Sequence, residues 1–236
     1  MSLFVLSDTH LSLYNDKPMD IFGNRWQSYD QKLDRGWKSV ITDKDTVIIS
    51  GDVSWGISLD EAKLDLKYID SLPGQKIISK GNHDYWWSTA SKINKFFEEN
   101  NITTIKTLHN NAFIVDNVTV CGTRGWYSEE KNAPRDADYN KIVAREAGRL
   151  ELSIKEGLKL SETNEIAVFL HFPPVYKDYV CEELIEVLHR YNVTNVFYGH
   201  IHGVYNIPQT FEYENIKFTI TSADYHNFVP LLVNKS

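Results

Sequence analysis

Five short runs of aliphatic, β-branched and aromatic residues recur along the chain, at residues 3–6, 46–49, 76–79, 166–170 and 195–198. Each breaks into a polar loop, and within about four residues of every break stands an Asp, Asn or His. Stretches of helical period fill most of the intervals. A chain that alternates in this way builds an α/β sheet, and open α/β sheets carry their ligand sites in the loops at the strand C-terminal ends. The residue types that could do chemistry are therefore gathered at one kind of place.

The intervals supply the helices. Ser58 with Glu61 makes a capping box opening a helix to about residue 71, which Pro73-Gly74 stops. Residues 88–100 read as a second helix. Tyr139, Ile142, Val143, Ala147, Leu150, Ile154 and Leu158 mark one face of a long third, with Asp136 or Asp138 near its start. Residues 180–191 read as a fourth, with Leu184, Val187, Leu188 and Tyr191 inward. Two regions break the alternation: 111–122, a hairpin turning at Asp116-Asn117, and 211–233, which holds further strands. The sheet is thus expected to be mixed or doubled. No repeat, low-complexity tract or Pro/Gly-rich linker marks a boundary, so residues 1–236 read as a single domain.

Composition removes several function classes. Apolar residues at 42% and aromatics at 13% exclude a disordered chain, and the longest apolar run, 166–170, falls far short of the ~20 residues of a membrane span. The first residues lack a basic stretch followed by a long apolar segment, so no signal peptide and a cytoplasmic location are expected. Cys121 and Cys181 show no Cys-x-x-Cys spacing and read as buried free thiols of a reducing compartment. A net charge of −7 without basic runs disfavours long nucleic acid as a partner, while leaving room for a local phosphate site.

The loops after the five runs hold Asp8-Thr9-His10, Gly51-Asp52, Gly81-Asn82-His83-Asp84, His171 and Gly199-His200-Ile201-His202, with five of the eight histidines. These are N and O donors suited to borderline divalent cations. Asp8 and His10, like His200 and His202, are two apart; if the chain stays extended, each pair shares a face and can hold one cation. A single such pair is more often a satisfied core histidine or a turn aspartate. Five in order at strand ends are not.

In that order these motifs resemble the calcineurin-like metallophosphoesterases, span Asp8 to His202, and nowhere depart from the family pattern. The resemblance implies a four-layer α/β/β/α sandwich of two mixed sheets with a dinuclear metal site at the strand ends. Carried over motif by motif, Asp8, His10, Asp52 and His202 would bind one metal, and Asp52, Asn82, His171 and His200 the other. Asp52 bridges, because a carboxylate has two oxygens and can join cations about 3.5–4 Å apart. Mn, Fe, Zn, Ni and Co are all compatible with this donor set. Two divalent cations with Asp8 and Asp52 ionised leave a positive site that attracts phosphoryl oxygens and lowers the pKa of bound water.

His83 is left over once the ligands are assigned. In proteins of this type that histidine is thought to protonate the leaving oxygen or stabilise the transition state, with Asp84 orienting it; a loop or helix cap is the other reading of Asp84. Aromatics crowd the loops: Trp55, Tyr85, Trp86, Trp87 and Trp126 are loop packing or a platform on which a nucleobase or aryl group stacks. Arg124 is a candidate phosphate contact or a plain salt bridge. Residues 14–29, with Pro18, Gly23, Arg25 and Trp26, fit neither period and read as a lid or a packed loop. His109, His189 and His226 read as ordinary surface or loop histidines.

The function expected is a cytosolic, dinuclear metal-dependent phosphohydrolase of a small or medium phosphomonoester or phosphodiester. In it, a metal-bridging hydroxide attacks in line and His83 assists departure. The alternatives are a non-catalytic binding scaffold of the same fold and, among enzymes, a nuclease or protein phosphatase. A scaffold would be expected to lose ligands, and none is missing here; a nuclease would need a basic groove.

Overall fold

The computed structural model describes residues 1–15, 17, 19–126 and 137–234. In chain order its strands begin with β1 (Leu3–Leu6), β2 (Thr46–Ser50), β3 (Gln75–Ser79), β4 (Ile105–Thr107), β5 (Phe113–Val115) and β6 (Val118–Thr123). Then follow β7 (Glu165–Leu170), β8 (Val175–Tyr176), β9 (Tyr179–Val180), β10 (Asn195–Tyr198), β11 (Thr210–Tyr213), β12 (Ile216–Ile220) and β13 (Leu231–Asn234). The helices are α1 (Tyr29–Val40), α2 (Leu59–Ser71), α3 (Ala90–Glu99), α4 (Ala137–Leu160) and α5 (Glu182–Arg190).

Two mixed sheets form. One runs β13-β1-β2-β3-β4 and is parallel except for β13 against β1; the other runs β11-β12-β10-β7-β6-β5 and is antiparallel only at its two edges. Strands buried on both faces explain the continuous apolar runs. Leu3, Val5, Ile48 and Ile77 point from the first sheet into a shared core with Val120, Ala167, Phe169 and Phe197 of the second. Phe169 and Phe197 stack there at 5.0 Å between ring centroids. The alternate residues Phe4, Leu6, Val47, Ile49 and Ile78 pack with buried residues of α1, α2 and α3, while Cys121, Val168, Leu170 and Val196 pack with those of α4 and α5. The period of two thus sorts one strand between two cores, and the result is the expected α/β/β/α layering. Both cysteines are buried and free. Among the described residues no helix is long and apolar enough to cross a membrane.

Helix boundaries follow local chemistry with three adjustments. The fourth expected helix starts at Glu182 rather than at residue 180, because Val180 pairs with Val175 in β9. The Ser58 side chain accepts from Glu61 N at 3.3 Å, but the Glu61 carboxylate returns to Ile57 N at 2.9 Å rather than to the cap itself. The second expected helix starts at Ala90, because Thr89 takes the cap by accepting from Lys92 N. Asp136 lies outside the described residues. α1 was not expected, although Tyr29, Leu33 and Trp37 recur at helical spacing; Trp37 anchors it by donating to Pro73 O at 3.0 Å.

The two sheets are stitched at one edge. Just past β1, Ser7 N donates to Thr221 O and Ser7 O accepts from Ala223 N, both at 2.9 Å, so the end of the first sheet runs beside the end of β12. The loops after β1, β2 and β3 thereby face those after β7 and β10.

Candidate metal centre

The loop after β1 does not stay extended. Asp8 and His10 have φ of +61° and +46°, Asp52 +52° and His200 +69°, all in the left-handed region that costs most L residues energy. The extended-chain reason for pairing Asp8 with His10 is therefore wrong. What aligns them is a neighbouring loop: Asp8 N donates to Gly51 O at 3.0 Å, His10 N to Asp52 O at 2.9 Å and Leu11 N to Val53 O at 3.0 Å. Four strained residues at one site are held by hydrogen bonds that over-determine them.

The donors converge. Oxygen and nitrogen atoms of Asp8, His10 and His202 lie within 4.8 Å of one another, and so do those of Asp8, Asp52 and His171. Asp52 Oδ2 stands 3.6 Å from His10 Nε2 and 3.5 Å from His171 Nε2, between the two imidazoles. Asp8 Oδ1 stands 3.6 Å from both His202 Nε2 and His171 Nδ1. His200 N–H donates to both Asp8 oxygens, at 3.1 and 3.0 Å, and its ring lies edge-on to that of His171.

Tautomers make the fit to cations testable on this geometry. His171 Nδ1 faces the Ser50 carbonyl at 3.2 Å and His202 Nδ1 faces Asp224 Oδ1 at 2.8 Å; both partners accept, so both Nδ1 atoms carry protons. In the neutral His171 ring Nε2 is then a lone pair. Yet His171 Nε2 lies 2.7 Å from the acceptor Asn82 Oδ1. Acceptors that close need a positive charge between them. Ligand atoms about 2.0–2.2 Å from a shared cation stand roughly 3–3.5 Å apart, so the residues present fit divalent metals.

Electrostatics agree. His171 is pushed down to about 3, chiefly by burial, and His83 to about 4 by burial and then by His200 and Lys17. Burial opposes the charge on Asp8 too, but His202, His171 and His10 hold its carboxyl well below the usual range. Burial, then Asp84 and Asp8, pushes Asp52 well above it. His202 is raised to about 10, because Asp8 and Asp224 outweigh its burial. Divalent cations would offset the repulsion between these buried carboxylates.

Glycines allow the approach. Gly51 has φ +94°, and a Cβ there would sit 2.7 Å from His171 Nδ1. A Cβ on Gly199 would overlap the Asp8 carboxylate and the Ser7 hydroxyl.

Asp84 takes the loop-capping role and not the orienting one. Its carboxylate accepts from Asp52 N (2.8 Å), Val53 N (2.9 Å), Ser54 N (3.2 Å), Gly81 N (2.8 Å) and Trp86 Nε1 (3.0 Å). It does not orient His83, whose Nδ1 is buried without a hydrogen-bond partner among the described residues, nor does it cap α3. Asp84 clamps the Asp52 loop to the Asn82 loop. His83 instead donates its backbone N–H to Asp52 Oδ1 at 2.7 Å and lays its ring against Trp55, 4.3 Å between centroids.

The aromatics divide. Trp55 also stacks on His10 at 5.0 Å, and Lys17 Nζ sits 3.1 Å from the centre of its ring. Trp86 is only 2% exposed and engaged with Asp84, so it is core and cannot be a substrate platform. Trp126 is half-buried, 5.6 Å from Phe172. Arg124 stands 3.9 Å from Glu146 at the end of β6, and its backbone carbonyl accepts from His171 N and Phe172 N. Within residues 14–29, Met19 and Trp26 are buried, Trp26 lies beside His10 and His202, and Tyr29 donates to His10 O at 2.9 Å. Pro18 lies outside the described residues. Trp26 and Tyr29 thus line the site, while Tyr14, Ile21 and Phe22 of the same stretch are exposed.

Asp224 carried no sequence signal: it sits in a C-terminal turn, wholly buried, and accepts from His202 Nδ1, Gly203 N at 3.0 Å and Tyr205 Oη at 3.0 Å. A carboxylate behind a ligand histidine is legible only once the fold brings them together.

The calcineurin-like phosphoesterase family model matches residues 1–204, a span that includes every donor described above. The chain belongs to the calcineurin-like phosphoesterases. Two solved structures share its fold. One is the protein of unknown function AQ665 from Aquifex aeolicus, with a TM-score of 0.52 and 14% identity over 98% of this chain and 95% of that one. The other is the phosphopantetheinyl hydrolase PptH from Mycobacterium tuberculosis, with a TM-score of 0.57 and 16% identity over 100% and 96%. No curated protein sequence matches. The family typically binds divalent metals, and Asp8, His10, Asp52, His171 and His202 form groups that could hold them.

Proposed function

We propose that this protein is a dinuclear metal-dependent phosphohydrolase acting on a small or medium phosphoester. The observation that carries the reading is Asp52: its Oδ2 is within 3.6 Å of His10 Nε2 on one side and 3.5 Å of His171 Nε2 on the other. One carboxylate thus joins the Asp8–His10–His202 set to the Asn82–His171 set, with His200 beside them. When bound, two divalent cations supply Lewis acidity for the phosphoryl oxygens and water activated at neutral pH.

The chain supplies the rest. Asp8, Asp52, Asn82 and the histidines hold the charge, and the Trp26 and Trp55 side keeps water from the His10 face. His83, held near 4 by burial and neighbouring cationic groups, is neutral at pH 7. It therefore acts as a hydrogen-bond donor to the departing oxygen rather than as a resident proton donor. The net reaction adds water across the P–O bond, its oxygen to phosphorus and its proton to the leaving alkoxide or aryloxide.

The test is hydrolysis of bis(p-nitrophenyl) phosphate and p-nitrophenyl phosphate by chelator-treated protein, with Mn²⁺, Fe²⁺, Zn²⁺, Ni²⁺ or Co²⁺ restored singly. Turnover is expected only with metal, and Asp52→Asn should lose at least about a hundredfold of it, since a misplaced bridge disturbs both cations. Full turnover by that variant in chelator would refute the proposal.

A further inference from the structure

A second polar cavity opens beside the metal centre, and the chemistry just proposed does not use it. It has a volume of about 210 Å³ and is lined by Lys80, His109, Arg124, Arg145 and Arg149, with Leu108 and Thr123. Its parts come from four places in the fold. Lys80 follows β3 and immediately precedes Gly81-Asn82, Arg124 follows β6, His109 follows β4, and Arg145 and Arg149 stand one turn apart on α4.

Among the described residues Glu146 is the carboxylate within 4.0 Å of the three arginines, with Asp84 acting on Lys80 and Asp52 on Arg124 from further away. Glu146 is wholly buried beneath them and already accepts from Thr123 Oγ1 and Arg149 Nη1, both at 2.8 Å. Arg145 and Arg124 reach it only at 3.8 and 3.9 Å, and Lys80 makes no ion pair within 4.0 Å among the described residues. Arg124 Nε is buried with no hydrogen-bond partner among those residues. Four cationic side chains around one carboxylate repel each other, and a surface needing only to neutralise Glu146 would not gather them on a chain of charge −7. A multivalent oxyanion would relieve the repulsion and meet the idle guanidinium donors.

We infer that this cavity is a phosphate-binding subsite, placed to hold a second phosphate of the substrate while the first is cleaved at the metals. The inference rests on the phosphohydrolase reading for its link to catalysis. Arg124 gives the physical connection, since its carbonyl receives the N–H of His171; Lys80 gives another, two residues from Asn82. Substrates with two phosphates would be selected by KM.

Two measurements test it. In the first, the metal-loaded protein is given α,ω-alkanediol bisphosphates of increasing chain length and the matched monophosphates. The best bisphosphate should be preferred by at least about tenfold in kcat/KM, through KM, because each charged hydrogen bond is worth that much. Lys80→Gln and Arg145→Gln, on separate elements, should each reduce this selectivity ratio several-fold. In the second, inorganic pyrophosphate is titrated calorimetrically into chelator-treated protein, where both variants should weaken binding by about tenfold. Binding without bisphosphate selectivity, lost in the variants, would assign the subsite to a free phosphate anion instead of the substrate. A ratio of one throughout together with pyrophosphate binding that is absent, or unchanged in both variants, would overturn the inference. Failure of the wild type to hydrolyse any ester would count against the phosphohydrolase reading alone, since the titration needs neither metal nor turnover.

Discussion

Gly51→Ala places the most severe small perturbation on the site. The native φ of +94° is one that L side chains avoid, and the new methyl would lie 2.7 Å from both Gly81 Cα and His171 Nδ1, where ordinary contact begins near 3.4 Å. One of these loops must retreat by about 0.7 Å, which costs ~1–3 kcal/mol as overpacking, and the left-handed backbone adds ~1–2 kcal/mol. A total near 3 kcal/mol corresponds to a fall in Tm of about 6–12 °C for a chain of this size. His171 would also be pushed from the Ser50 carbonyl that sets its tautomer, so metal content should fall and kcat on bis(p-nitrophenyl) phosphate should drop about ten- to a hundredfold. Gly148→Ala is the control of opposite sign. It is exposed within α4 with nothing within 4 Å of the added carbon, so it should gain ~0.5–1 kcal/mol from helix propensity. Calorimetric melting with and without Mn²⁺, elemental analysis and kinetics read all of this. A Gly51→Ala protein that melts within about 2 °C of wild type with full metal content would refute the reasoning.

Asp84→Asn separates a clamp from an orienting residue. If the amide oxygen takes the three donors on Oδ1, its NH₂ faces Asp52 N and Gly81 N, leaving two buried donors unmatched. Burial has raised this carboxyl to about 6, and a neutral amide recovers part of that cost, so a loss of ~1–3 kcal/mol is expected together with reduced metal content. Unchanged Tm and metal content with lost activity would restore the orienting role. Metal loading should also depend on pH. His202 is raised to about 10, by Asp8 and Asp224 against its burial, so in the metal-free site it holds a proton through the neutral range that a cation must displace. Affinity should therefore rise with pH, by about a decade per unit for each proton released, between pH 6 and 8. Calorimetric titrations in buffers of different ionisation enthalpy count those protons; a pH-independent affinity with no proton release would contradict the assignment.

Every ligand-type residue singled out in the chain reaches the same edge of the two sheets, because strand period and ligand placement are both local properties. Residues 3–6 alternate between two apolar faces, so they make a buried strand wherever they pack, and the loop that follows must open at the strand end. The long α4 face and the 116–117 turn were legible for the same reason. Trp86 and Asp84 were not, since whether an indole is core or platform, and which of its many donors a carboxylate meets, depends on a loop 30 residues away.

The chain by itself determined the inventory: an α/β layering, the donors at strand ends, and a metal-site order that marks the calcineurin-like phosphoesterases. Tertiary structure alone decided how those donors act. Asp224 lies 22 residues from His202, and Glu146 lies 23 residues from Thr123. Lys80, Arg124 and Arg145 stand far apart in sequence and meet only where β3, β6 and α4 converge. Hydrogen bonds and Coulomb forces act over a few ångströms of space, whereas the signals readable in a sequence act over a few residues of chain.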